Sequence, residues 1–173
     1  MRMLPWLLVF VTAQSAADLS PVSRAFQVQA VVINGCVFGT SASSAVSDLG
    51  TIDFGTATDL SSGRDAVSTA GNGSVTLTCT PGMSVSVALG SGLHGASTSA
   101  RYLKRVNGAE LLAYQLYQDT QRTTVWGTGA QALTINNFPP STQTYTVYAR
   151  MLNRSGFPVA GEYRDTVVVE LSY

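Results

Sequence analysis

The sequence predicts an all-β domain folded as a β-sandwich, and three observations carry that prediction. Apolar residues recur with period two rather than 3.6, so successive side chains point to opposite faces of a strand. Gly, Pro, Asn and Ser clusters break the chain between short apolar runs. No segment carries a convincing amphipathic-helix pattern. Roughly seven or eight short strands result, the count and rhythm of a sandwich.

Size and composition fit one domain preceded by a leader. The chain has 173 residues, is 45% hydrophobic and only 12% charged, about half the usual charged fraction. A chain this apolar can bury a core, which excludes disorder. Its formal net charge is zero, so it offers no electrostatic footprint for nucleic acid or an acidic membrane. So few charges also give weak protection against self-association, which a polymer subunit can use.

Taken in order, residues 1–17 read as a secretory signal peptide. Arg2 is the positive start, residues 4–11 (LPWLLVFV) are the apolar stretch, and Ser15-Ala16-Ala17 precede a cut near Asp18. The apolar run is too short to span a bilayer, and the mature chain is expected to have no transmembrane segment. Residues 26–32 alternate, so Phe26, Val28, Ala30 and Val32 share one face. Asn34-Gly35 marks a bend before Cys36. Residues 39–48 are small and polar and read as a loop, 49–54 as a short strand ending at Gly55, and 56–73 as another connection.

Val75, Leu77 and Cys79 form one face of a further strand, and Val85, Val87 and Leu89 one face of the next. Pro81-Gly82 lies between them, marking a hairpin or a Greek-key corner. Residues 90–99 form a Gly/Ser loop, and 101–105 (RYLKR) read as an edge strand with exposed charge. Residues 111–117 and 144–151 are strands separated by loops around 127–129 and Pro139-Pro140. After Gly161, a last strand alternates through Tyr163, Val167, Val169, Leu171 and Tyr173. A sandwich whose final strand ends there can keep an unfilled edge. An alternating segment directly after the leader is free to pair elsewhere.

Export makes a disulfide between Cys36 and Cys79 plausible. It would close a loop of 43 residues, worth about 4 kcal/mol in the chain-entropy account. The metal reading is weak, because two distant Cys and the single His94 do not make a zinc site. No catalytic constellation is present. His94 sits alone in a Gly-rich loop, and no Gly-x-Ser-x-Gly elbow occurs. The Gly-x-Gly runs at 71–73 and 127–129 lack the strand–loop–helix setting of a phosphate cradle. Asp53, Asp119 and Asp165 are expected to cap turns, or to accept backbone N–H bonds at strand ends, rather than to cluster. Trp126, Phe138 and Phe157 are expected in core or corner packing rather than in an adhesive patch. The chain is therefore expected not to be an enzyme, and to use no cofactor.

Several motifs together resemble a known family. They are the alternating segment before Asn34-Gly35-Cys36, then Ile52-Asp53-Phe54-Gly55, and Val75-Thr76-Leu77-Thr78-Cys79. Next come Leu112-Ala113-Tyr114-Gln115-Leu116-Tyr117-Gln118-Asp119, Arg122-Thr123 and Trp126-Gly127. The series closes with Ala160-Gly161-Glu162-Tyr163-Arg164-Asp165-Thr166-Val167, running to an aromatic last residue. The chain resembles the spore coat protein U family, which includes the Csu-type pilins of archaic chaperone–usher pili.

That resemblance implies an incomplete immunoglobulin-like β-sandwich, completed by a donor strand from another chain. It implies a domain organisation of signal peptide (1–17), donor-strand segment (18–34) and pilin-like sandwich (35–173). Phe26, Val28, Ala30 and Val32 would be the donor residues, and Cys36 and Cys79 the family's disulfide. Ala30 departs from the pattern, being small where a larger aliphatic residue would fill an acceptor pocket better. The implied function is a structural subunit of a surface fibre, serving adhesion and biofilm formation. The implied partners are a periplasmic pilus chaperone, an outer-membrane usher and homologous pilin subunits. The route runs through the periplasm to the cell surface. A tip adhesin, or a coat protein of the cell or spore surface, is the alternative.

Overall fold

A computed structural model describes residues 22–173. The predicted signal peptide, 1–17, lies outside the described residues. The chain divides into two units, with the boundary between Val32 and Ile33. Described residues of the first unit, 22–32, form no strand or helix, and all their side chains are exposed.

The second unit is an all-β, immunoglobulin-like sandwich built from eleven short strands. In chain order these are β1 (Cys36–Phe38), β2 (Arg64–Val67), β3 (Val75–Cys79), β4 (Val85–Leu89), β5 (Arg101–Arg105) and β6 (Leu111–Tyr117). They continue with β7 (Leu133–Ile135), β8 (Gln143–Tyr145), β9 (Tyr148–Met151), β10 (Tyr163–Arg164) and β11 (Val169–Ser172). Three sheets form, ordered β1-β3-β8, β10-β5-β6-β9-β2 and β11-β4-β7, and every pairing is antiparallel. Among the described residues no helix is long and apolar enough to cross a membrane.

The alternation read from sequence becomes the core. Val75, Leu77, Val85, Val87 and Leu89 are all buried, and they pack with Tyr114, Leu116, Val147 and Ala149. Trp126 and Phe138 complete that core, the indole N–H donating to the Val87 carbonyl at 2.9 Å. Cys36 and Cys79 face each other across β1 and β3 and are joined as a disulfide. The Pro81-Gly82 turn is a corner and not a hairpin, because β3 and β4 belong to different sheets.

Four sequence expectations are corrected. The segment 101–105 is not an exposed edge: β5 lies between β10 and β6, and Arg101 is fully buried. Its guanidinium donates to the carbonyls of Leu89, Gly90 and Trp126 and to the Gln115 side chain. Burial alone lowers its affinity for the proton, and the fields of Tyr114 and Asp165 oppose that loss. Residues 49–54 form no strand: they lie against residues 71–73, yet only the Leu49 carbonyl makes a backbone bond there, to the Gly73 N–H. Residues 56–73 are not only a connection. They contain β2, a polar edge strand held by cross-strand Asp65–Arg150 bonds at 2.6 and 2.8 Å. The segment 144–151 is broken, with β8 in one sheet and β9 in another. β7 also lies where the sequence shows only the connection after Gly129, and it forms by pairing with β4.

Candidate functional site

The candidate site is an open groove between two stretches of largely irregular backbone. One rim is formed by residues 49–58 and the other by 158–169. Two connected hollows make up the groove, of about 700 Å³ and about 1210 Å³. Both are lined by Thr51, Ile52, Phe54, Leu103, Asp165 and Thr166, so they are continuous. Leu89, Leu116 and Val147 floor the smaller end, and Leu60, Leu112 and Met151 the larger. The rims run in opposite directions: residues 49–52 accompany 165–169, and 55–58 accompany 158–164.

Neither rim is saturated with hydrogen bonds. Residues 50–58 make no backbone–backbone bond, and the Leu49 carbonyl alone is taken, by the Gly73 N–H at 2.6 Å. The rim holds its shape through Asx turns, in which Asp48 accepts from the Gly50 N–H and Asp53 from the Gly55 N–H. On the other rim, the carbonyls of Thr166 and Val168 accept from Leu93 and Gly90, whereas Asp165 and Val167 make no backbone–backbone bond. Strand geometry turns neighbouring residues' backbone groups to opposite edges. The free groups of Asp165 and Val167 therefore point away from 90–93.

The sequence-read C-terminal strand falls on this second rim. It is divided into β10 and β11, which pair with β5 and β4 in different sheets. Alternation still runs through the break. Tyr163, Asp165, Val167, Val169 and Leu171 are half-buried, and the residues between them are exposed. Tyr173 departs from the pattern at 64% exposed. Tyr163, Asp165, Val167 and Val169 line the groove, and this leaves them half covered.

One polar group sits where the two hollows meet. The Asp165 carboxylate accepts from the Tyr114 hydroxyl at 2.6 Å and from the N–H groups of Leu93 and His94 at 2.9 and 3.3 Å. Burial, reinforced by the bond to Asp165, pushes the Tyr114 phenol far above its ordinary range. Gly92 (φ +83°) is required here, since a Cβ there would collide with the Asp165 carboxylate.

The other candidates are dispersed. Asp53 and Asp119 each cap a turn, Asp119 holding Thr123 and Thr124. Among the described residues no three His, Cys, Asp or Glu side chains could jointly hold a metal. His94 is an exposed loop residue. Trp126 and Phe138 are core, while Phe157 is 82% exposed on a separate loop, so the three form no patch. Phe26, Val28, Ala30 and Val32 are exposed in the first unit. Sequence reasoning missed the 49–58 rim, and it did not find Tyr114 and Asp165 as a pair. The Asp-x-Gly spacing at 48–50 and 53–55 was the available signal for the rim.

Comparison with known proteins follows the same lines. The Spore Coat Protein U domain family matches residues 22–170. Protein U of Myxococcus xanthus is 31% identical over 173 aligned positions, covering 94% of this chain and 91% of that one. The fold is similar to a solved chain in the CsuC–CsuE chaperone–tip adhesion subunit pre-assembly complex from archaic chaperone–usher Csu pili of Acinetobacter baumannii. That likeness has a TM-score of 0.52 at 20% identity and covers 82% of this chain. The chain spans 40% of the length of the solved one.

Proposed function

The chain belongs to the Spore Coat Protein U domain family, and from that premise we propose that it is a structural subunit of a surface fibre, an archaic chaperone–usher pilus. In this reading it is exported, received by a periplasmic chaperone, handed to an outer-membrane usher and joined to homologous subunits. The fibre serves adhesion and biofilm formation. One observation carries the reading: an apolar groove whose rims keep unpaired backbone groups, in a chain that also displays an exposed segment of alternating apolar residues. A strand laid in that groove gains main-chain bonds at its edges and places alternate side chains on the core floor. A chaperone strand occupies it first, and the N-terminal segment of the next subunit follows.

A catalytic reading has no such support, since the carboxylates of Asp53, Asp119 and Asp165 are committed to capping backbone N–H groups. Deletion of residues 24–33 tests the proposal. The full mature chain should form multimers that persist on unheated electrophoresis, and the deleted chain should remain monomeric. Multimers of equal length from both would sink it.

A further inference from the structure

We propose that the groove takes residues 26–32 of a second copy in a single register, antiparallel to residues 163–169, with Ala30 seated over Tyr114 and Asp165. This deepens the strand-exchange reading and rests on it. The rim offers four inward positions at alternate residues, Tyr163, Asp165, Val167 and Val169. The exposed segment offers four alternating apolar side chains, Phe26, Val28, Ala30 and Val32. Three positions in each set are large and apolar, and one is not. Antiparallel overlap pairs the exceptions, Ala30 with Asp165. It also sets Val32 by Tyr163, Val28 by Val167 and Phe26 by Val169. Parallel overlap instead sets Val28 on the carboxylate and leaves Ala30 facing Val167.

Shape and solvation both favour the first arrangement. Tyr114 stands on the inward face of β6 between Leu112 of the larger hollow and Leu116 of the smaller. Tyr114 lines the smaller hollow, and its hydroxyl is tied to Asp165, which lines both. A methyl group adds little bulk beside that tied pair, whereas a branched side chain would have to displace it. Valine there would also strip water from a carboxylate without supplying a donor. At the far end, Phe26 meets the floor of Leu89, Leu116 and Val147. Ala30 is thus a specificity-determining residue and not a weakened anchor.

Peptides of residues 24–34 competing against multimer formation by the full mature chain provide the test. The native peptide should block multimers, and a Gln29→Ala peptide, altered on the outward face, should match it. An Ala30→Leu peptide should need about tenfold more, the scale of overpacking a closed site. A peptide with azidophenylalanine in place of Phe26 should label residues near Val169. If Ala30→Leu is equally or more potent, or label arrives near Tyr163, the register is overturned while the groove stands. If the native peptide blocks nothing, the strand-exchange reading itself falls.

Discussion

Copying residues 24–34 to follow Tyr173 through a short Gly/Ser turn would let one molecule fill its own groove. Phe26, Val28 and Val32 are 87%, 87% and 92% exposed in the native chain, so insertion takes almost their whole side chains out of water. Burying each contributes about 1.5–3 kcal/mol, or on the order of 5–9 kcal/mol for the three. Ordering the segment opposes that gain by an amount that depends on the unfolded ensemble. The informative quantity is therefore a difference. A second fusion carries Phe26→Ser, Val28→Ser and Val32→Ser in the copied segment only, which keeps linker and backbone ordering the same. At about 2–4 °C per kcal/mol for a chain of this size, the native fusion should melt at least about 10 °C above the serine fusion. Thermal unfolding followed by circular dichroism reads it directly. Melting temperatures within about 3 °C of each other, under 2 kcal/mol, would mean that these side chains enter no cleft.

The remaining predictions concern what holds the groove in shape. Replacing Cys36 and Cys79 by Ser should cost about 4 kcal/mol and speed hydrogen exchange in β1 more than in β4, as measured by mass spectrometry. Arg101→Leu strips a donor from three backbone carbonyls and from Gln115. At about 1–3 kcal/mol per orphaned buried acceptor, it should lower stability by at least 3 kcal/mol in urea titration. Arg101→Lys should recover less than half, since an ammonium lacks the planar fork. Tyr114 keeps its proton in the fold well beyond the pH at which an unfolded tyrosine loses one, near 10. Above about pH 10 the unfolded chain therefore binds fewer protons than the folded one, and stability should fall as pH rises. Chemical denaturation from pH 8 to 11.5 should show that slope reduced in Tyr114→Phe.

Sequence patterning disclosed the buried strands because one face of each is fully buried and the alternation is regular. Val75–Cys79 and Val85–Leu89 alternate without interruption, and each has partners on both edges. Where reading failed, pairing rather than pattern decided the outcome. Residues 49–54 have the side chains of a strand, but they lie against 71–73 with a single backbone bond, at Leu49, so no ladder forms. β2 has few apolar residues, yet it forms because β9 offers an edge and Arg150 meets Asp65 across it. Arg101 looks like a surface residue in sequence because charge is almost never buried unpaired. Three carbonyls and an amide replace water around it, which no local sequence signal announces. The groove was legible only as a half-empty alternation in residues 163–171, because its other wall is a segment without secondary structure.

Placement of the disulfide acquires a mechanical meaning once the groove is filled by a second copy. In a fibre built this way, tension arrives through residues 26–32, seated in one subunit, and enters the next subunit at β1. That strand is only three residues long and pairs with β3 alone. Three residues of antiparallel ladder supply few hydrogen bonds of about 1 kcal/mol each, and pulled from one end they yield one after another. Cys36 is the first residue of β1, and its bond to Cys79 passes the load to β3, whose inward side chains are the centre of the core. Force then has to shear β3 against both neighbours at once rather than peel β1. Under stretching by a single-molecule trap, a fibre in reducing buffer should therefore lengthen by unravelling β1 and the loop of 43 residues behind it. In oxidising buffer the same subunits should hold until the donor strand itself leaves the groove. Equal extension in the two buffers would place the tension elsewhere and remove the reason for a covalent bond at that position.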